Sequence, residues 1–415
     1  MTSLVPRWAE DGVRTALADT PVVAVNGARQ VGKSTLVSTT RYPGSVDLVT
    51  LDDEPARQAA REDPRAFVRR PVDTLVIDEV QLEPTLFRAV KAEVDRDRRP
   101  GRFVLTGSSR LLSAPDMADS LVGRVEVIDL WPLSQGEAVG TPPALLDVLF
   151  ADPRALLRGS DLDRADVLRR ICAGGFPEVQ GRTPARRATW FDSYVRTTVD
   201  RVVRRVSDID RAAEMPRLLR LCAARTANEL NVADVADAMA LPSRTVSGYL
   251  AHLATAFLVH LLPPWSTNVT ARVVKRPKLV LVDSGLAAHL LGATAESLAV
   301  PGSAHLGRLV ETFAAGEILR IAAATGSRID VRHFRDRDGA EVDLVLEHPD
   351  GRVVGLEVKA TSTPRSTDFR GLRLLADRLG DRFAYGAVLC LAPEATPFGD
   401  RLAALPLDVL WREVP

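Results

Sequence analysis

Val22-Val-Ala-Val-Asn-Gly27-Ala-Arg-Gln-Val-Gly32-Lys33-Ser34-Thr35 runs from an apolar stretch, through a loop bounded by two glycines, into a helical pattern that begins near Lys33. The loop has the spacing G-x4-G-K-S, and its flanks are those a phosphate loop requires, a strand before and a helix after. Gly27 and Gly32 let the backbone wrap an anion, so that successive N–H groups and the helix N-terminus point at it. Lys33 is spaced to reach the outer phosphates, and Ser34 offers a hydroxyl to Mg2+. The residues expected around the phosphates of a bound nucleotide are therefore Gly27, Ala28, Arg29, Gln30, Val31, Gly32, Lys33, Ser34 and Thr35.

Downstream, Thr74-Leu-Val-Ile-Asp78-Glu79 is a buried-strand pattern that ends in two carboxylates. After a phosphate loop, Asp78 suits the Mg2+ shell and Glu79 suits a general base that polarises water. Phe103 to Thr106 reads as another strand, followed by Gly107-Ser108-Ser109-Arg110 at the edge where parallel sheets bind ligands. Ser108 is the expected sensor of the γ-phosphate, with Ser109 as the alternative. Further apolar runs, Leu48 to Leu51 and Val125 to Leu130, lie at helix-length intervals. The pattern predicts an α/β fold whose first domain is a parallel sheet covered on both faces.

The chain of 415 residues has room for two or three domains. Its 54 Lys+Arg balance 54 Asp+Glu, and 46% of residues are hydrophobic, which excludes wholesale disorder and a collagen-like chain. Zero net charge argues against a general nucleic-acid sponge while leaving local basic faces open. No apolar run approaches the roughly 18 to 20 residues of a membrane span, and Glu10 and Asp11 precede any apolar core, so a cytoplasmic location without membrane contact is expected. Cys172, Cys222 and Cys390 are scattered, which suggests neither a disulfide framework nor a zinc site. Only five cations are lysines (Lys33, Lys91, Lys275, Lys278 and Lys359), so the position of each is informative.

Proline and glycine cluster between Trp131 and Pro153, an exit from the first domain, and Asp161 to about Pro264 reads as mostly helical. Within it, Val232 to Ala240 and Ser243 to Ala254 are two helical pieces broken at Leu241-Pro242, with Ser243 as an N-cap, and Phe257 to Leu262 reads as a strand. That outline is a winged helix-turn-helix whose second helix would present Arg244, Thr245, Ser247 and Tyr249 to DNA. One cation on that helix is little for phosphate affinity, so a protein-interaction role stays open. The basic stretch Arg196, Arg201, Arg204 and Arg205 is a second source of positive charge.

Glu341-Val-Asp343-Leu-Val-Leu-Glu347 and Arg352-Val-Val-Gly-Leu-Glu357-Val-Lys359 read as a hairpin turned at Pro349 to Gly351. That loop sets Asp343 opposite Glu357 and Glu341 opposite Lys359, with all four on one face and Val342, Leu344, Leu346, Leu356 and Val358 on the other. Two carboxylates rooted about 5 Å apart repel each other unless a cation sits between them, which suits a hard divalent ion. An ion-paired polar hairpin face is the alternative.

The segments Asn26 to Thr35, Val76 to Gln81, Leu105 to Arg110, Leu121 to Arg124 and Leu130 to Ser134 resemble those of bacterial and archaeal AAA-type P-loop ATPases that carry a C-terminal domain of unknown function. The resemblance spans nearly the whole chain. It implies ATP and Mg2+ as ligands, and Arg124 as the candidate arginine finger, which would act across the boundary of a homo-oligomer. The hairpin, with Glu311 on the preceding helix, resembles the PD-(D/E)xK nuclease superfamily, although Ala340-Glu-Val-Asp343 lacks the literal Pro-Asp. This second resemblance implies a restriction-endonuclease-like domain with Glu311, Asp343 and Glu357 as ligands of Mg2+ or Mn2+, Lys359 as the catalytic lysine, and DNA or RNA as partner. The expected domains are 1–150 (ATPase), 151–270 (helical, winged helix) and 271–415 (nuclease-like). Two functions follow, an ATPase coupled to nucleic-acid cleavage or a nucleotide-controlled switch that binds without cutting.

Overall fold

The computed structural model describes residues 4–110, 121–203, 214–266, 272, 275–326 and 328–414, and of 201–203 the backbone alone. The chain divides into two compact units, 1–131 together with 255–257, and 132–254 together with 258–415.

In the first unit, β1 (Val22–Gly27) leads through the glycine loop into α1 (Lys33–Thr39). Four more strands follow: β2 (Val46–Thr50), β3 (Thr74–Asp78), β4 (Phe103–Gly107) and β5 (Val125–Leu130). Their order is β2-β3-β4-β1-β5, and every pair is parallel. β1, β3 and β4 are buried at every position, as strands covered on both faces must be, while the edge strand β2 is partly exposed. Helix α2 (Thr85–Arg96) sets Leu86, Phe87, Val90 and Val94 at helical spacing against Leu75, Ile77, Phe103 and Leu105. The expected parallel α/β sheet is thus present. Because β1 and β4 run in register from Val22 with Phe103 to Asn26 with Gly107, their carboxyl ends meet at one edge.

The second unit contains a helical middle and two sheets. β6 (Asn228–Glu229), β7 (Val259–Leu262) and β8 (Lys278–Leu281) form a small antiparallel sheet in the order β6-β8-β7. Between β6 and β7 lie α3 (Val232–Met239) and α4 (Ser243–Thr255), separated by a turn in which Ala240 takes φ 54°. Strand β7 starts two residues later than Phe257, which itself has φ 55°. Arg244 and Ser247 are exposed, but Tyr249 is buried with Val246, Leu250 and Leu253. Those four positions recur at three- and four-residue steps, so Tyr249 belongs to the apolar stripe and not to an outward-facing surface. Arg204, Arg205 and the side chain of Arg201 lie outside the described residues, and Arg196 is exposed.

The larger sheet is built from β9 (Asp330–Arg335), β10 (Glu341–Glu347), β11 (Val353–Lys359), β12 (Phe383–Cys390), β13 (Thr396–Pro397) and β14 (Leu402–Pro406), in the order β13-β14-β12-β11-β10-β9. Helix α5 (Leu306–Ala324) precedes it, and α6 (Arg370–Leu379) packs Leu372, Leu375 and Leu379 on Val342, Val345 and Val353. No helix among the described residues is long and apolar enough to cross a membrane.

The change between the compact units falls at residue 131, and 132–254 with 258–415 forms a single unit. A buried polar network explains why. Arg320 on α5, 5% exposed, donates to Glu317 at 2.6 Å and to the Val282 carbonyl at 3.1 Å, and lies 3.6 Å from Asp283. Glu317 accepts from the Gln135 backbone N–H at 2.8 Å, and Asp283 accepts from Gly175 N–H at 2.6 Å and Leu286 N–H at 2.8 Å. At Gly175 a side chain could not be accommodated, because a Cβ there would stand 2.1 Å from the Leu133 carbonyl oxygen. Segments from residue 133 to residue 320 therefore converge on one guanidinium. Arg320→Met would leave two buried carboxylates without their cation and should cost about 3–5 kcal/mol in urea unfolding; a loss below about 1 kcal/mol would show that the network carries little.

The outer edge of β9 is closed by a strap from the middle segment. His333 N–H donates to Pro263 at 3.0 Å and the His333 carbonyl accepts from Trp265 N–H at 2.5 Å. The imidazole, 2% exposed, meets the Arg276 carbonyl at 3.1 Å. Burial, reinforced by the Lys278 charge, pushes its pKa down to about 4. An unfolded histidine protonates below about pH 6.5 while the folded one does not, so this group withdraws stability as pH falls from about 6.5 towards 4, by up to about 3 kcal/mol. Chemical denaturation across that range should show the gap between wild type and His333→Asn narrowing as the solution is acidified; parallel pH profiles would contradict this.

Candidate functional site

The carboxyl edge of the first sheet gathers the expected phosphate-loop residues. Gly32 takes φ 97° as the residue before α1, and Gln30 takes φ 60°. A Cβ on Gly27 would stand 2.3 Å from the Leu130 carbonyl oxygen, so the loop can leave β1 only at a residue without a side chain. Ala28 and Val31 turn into the core, while Arg29, Gln30, Ser34 and Thr35 face outward. Lys33, 5% exposed, arches over the loop and donates to the carbonyls of Gly27 at 3.1 Å and Ala28 at 2.9 Å.

Asp78 at the end of β3 is the hub. Its carboxylate accepts from Ser34 Oγ at 2.9 and 3.1 Å and from Thr106 Oγ1, with Thr50 Oγ1 at 3.5 Å. Thr106 in turn accepts from the Glu79 backbone N–H at 3.1 Å. Glu79 has φ 56°, a left-handed conformation that an ordinary residue keeps only when its surroundings hold it there. Those surroundings include Ser108 Oγ, which donates to Glu79 Oε2 at 2.9 Å, and Gln81 Nε2, which donates to the same oxygen and to Ser108 at 3.2 Å. Gln81 Oε1 is buried without a partner. Ser108, expected as the sensor of the γ-phosphate, is bonded to the Glu79 carboxylate, and Thr106 and Gln81 are site residues that the sequence reading did not single out. Their signal was position: a hydroxyl at the end of β4, and an amide two residues beyond Glu79.

These residues fit Mg2+ and ATP. The loop is a cradle that a Cβ would fill, and Ser34 with Asp78 is an oxygen pair suited to a hard cation. Arg124 does not join them. It precedes β5, its carbonyl accepts from Val22 N–H at 3.2 Å, and its guanidinium is bound to Asp95 at 2.6–2.7 Å. The amino ends of β1 and β5 lie at the edge opposite the phosphate loop, so Arg124 stands away from the nucleotide site of its own chain.

In the second unit the hairpin register is the expected one, with Leu344 opposite Leu356 and Glu347 opposite Val353, and Gly351 takes φ 89° in the turn. Strict alternation fails, because the β9 pairing shifts between Val342 and Val345 and both valines enter the same apolar cluster. Asp343 and Glu357 are each 4% exposed. Lys359 donates to Glu357 Oε1 at 2.6 Å rather than to Glu341, which lies 3.7 Å from Arg335 on β9.

The cation that meets Asp343 is Lys278, at the start of β8. Its Nζ donates to Asp343 Oδ1 at 2.9 Å and to Glu311 Oε1 at 2.5 Å, and Asp343 Oδ2 accepts from Val358 N–H at 2.9 Å. Burial opposes charge on Lys278, but Asp343 and Glu311 outweigh it and hold the ammonium above its usual range. Burial likewise opposes the Asp343 carboxylate, yet Lys278 and the Val358 N–H keep its pKa below the ordinary value. Glu311 is pushed well up by burial and by Asp343, and Glu357 by the same two causes to about 8. The four expected residues are thus brought together, but the charge between Glu311 and Asp343 is an ammonium. No group of three or more acidic, histidine or cysteine side chains suited to a metal occurs among the described residues.

Family profiles match three stretches: an AAA domain over 19–139, a domain of unknown function (DUF8612) over 164–297, and another (DUF4143) over 306–410. Among solved structures, the Walker-type ATPase PABY2304 of Pyrococcus abyssi is similar with TM-score 0.40 and 14% identity, over 69% of this chain and 96% of that one. Uncharacterized proteins of Mycobacterium bovis (Mb2031c) and Mycobacterium tuberculosis (Rv2008c) are each 31% identical over 409 residues, which is 97% of this chain and 83% of theirs. With that identity across nearly its whole length, the chain belongs to the family of these two mycobacterial proteins, and its first unit is a P-loop AAA ATPase domain.

Proposed function

We propose that the protein hydrolyses ATP with Mg2+, and that its nucleotide state governs a C-terminal half that engages nucleic acid without cutting it. The observation that carries the first part is the hub at Asp78, joined to Ser34 of the loop and, through Thr106, to Glu79. Mg2+ bound with ATP would be held by Ser34 and Asp78 and would neutralise charge on the phosphate oxygens. Lys33 exchanges its two loop carbonyls for the outer phosphates. Glu79 accepts the proton of the attacking water, while Ser108 and Gln81 fix its carboxylate. The nucleic-acid part rests on the resemblance of the Glu311, Asp343, Glu357 and Lys359 set to PD-(D/E)xK nucleases and on the exposed Arg244 and Ser247 of α4. Lys278 favours binding over cleavage, because it neutralises the acids that would otherwise call for a metal.

Lys33→Ala should weaken ATP binding at least tenfold, whereas Glu79→Gln should bind ATP and lose about 100-fold or more in hydrolysis, read by phosphate release. Equal hydrolysis by wild type and Glu79→Gln would overturn the general-base assignment. Incubated with plasmid and with single-stranded DNA or RNA, in Mg2+ or Mn2+ and with or without ATP, the wild type should shift nucleic acid in gels and leave it intact. Cutting that disappears in Asp343→Ala would instead establish the nuclease.

A further inference from the structure

The acids around Asp343 and the cation that meets them come from different parts of the chain. Glu311, Asp343, Glu357 and Lys359 lie inside the 306–410 match, and Lys278 lies inside the 164–297 match. We infer that Lys278 is the resident cation of this site, that its ammonium stands between Glu311 and Asp343 where a divalent ion would bind, and that it excludes metal from the carboxylates. This deepens the reading of binding without cleavage and rests on it.

Three observations support the assignment. First, the bonding is bidentate across elements, from β8 to α5 and β10, and the lysine side chain is 8% exposed. Its backbone is fixed by pairing with Leu262 on one side and Glu229 on the other, so the ammonium is not a surface charge that happens to drift in. Second, the surrounding cavity, of about 80 Å³, is lined by Glu229, Lys278, Glu311, His333, Arg335 and Asp343, among others. A cavity of this size holds water, so an ion that took the place of the ammonium could keep part of its hydration. Third, the other charges facing the cavity are already matched. Arg335 lies 3.8 Å from Glu229 and 3.7 Å from Glu341, so Lys278 serves Glu311 and Asp343. Glu357 Oε2 is buried without a partner, an oxygen that a divalent ion could take up and that Lys278 does not. A divalent cation placed beside the ammonium would face like charge at contact distance in a site of low polarisability, so occupancy by one excludes the other.

The test measures Mn2+ binding by calorimetry in the full-length chain carrying Asp78→Asn, which removes the acidic metal ligand of the ATP site. With Lys278 in place, no binding is expected up to about 1 mM Mn2+, the weak end of the range for oxygen-ligand cation sites. Adding Lys278→Met should create a site at least tenfold tighter than that limit, and Mn2+ should raise the melting temperature of that variant and not of its parent. A further variant, Lys278→Met with Asp343→Asn, removes a ligand and lowers the uncompensated negative charge; it should fold and lose the Mn2+ response. If Lys278→Met folds only with Mn2+, the assignment is supported, because the metal then replaces the ammonium. If Lys278→Met binds no Mn2+, or the parent binds it equally well, the assignment is overturned. DNA cutting by wild type would defeat the non-cutting reading independently of which variant binds manganese.

Discussion

The second unit depends on a single buried guanidinium. Arg320 answers Glu317 on its own helix and approaches Asp283 from the middle segment, while those two carboxylates accept backbone N–H groups from Gln135, Gly175 and Leu286. A buried ion pair of this kind need not add stability over apolar packing, but removing one member leaves an uncompensated charge. Its effect is to tie residues 133–175, the segment near 283 and helix α5 into one body. That constraint sets where α5 presents Glu311 and where β8 presents Lys278.

The two carboxylate sites solve the same electrostatic problem in different ways. Asp78 is surrounded by hydroxyls of Ser34, Thr106 and Thr50, which donate hydrogen bonds without supplying positive charge. Such a carboxylate keeps its full affinity for a cation. Asp343, by contrast, is met by an ammonium and a backbone N–H, and its neighbours Glu311 and Glu357 are driven towards the protonated form. The acids of β3 and β10 therefore have different capacities, and the difference lies in what faces them from other elements.

Much of the first unit was legible in the sequence, because a fully buried parallel strand reads as an unbroken apolar run and a phosphate loop needs glycines at fixed spacing. Val22 to Gly27, the loop, Asp78, Glu79 and Ser108 all fall where that reasoning put them. The hairpin register was legible too, since the turn at Gly351 fixes it. What departed from expectation depended on which way each side chain packs in the fold. Tyr249 joined a buried stripe with Val246 and Leu253, and Val342 changed sides through a register shift against β9.

The sequence by itself determined the phosphate loop, the acids of β3 and the pairing of β10 with β11, because each follows from local spacing, glycine geometry and the period of a strand. Only the tertiary structure decided what stands opposite those groups. Lys278 is 33 residues from Glu311 and 65 from Asp343, and no local rule connects them. The sequence reading gave Lys278 no role, and its part required the fold, since the charge that answers a buried carboxylate is selected by distance in space and not by distance along the chain.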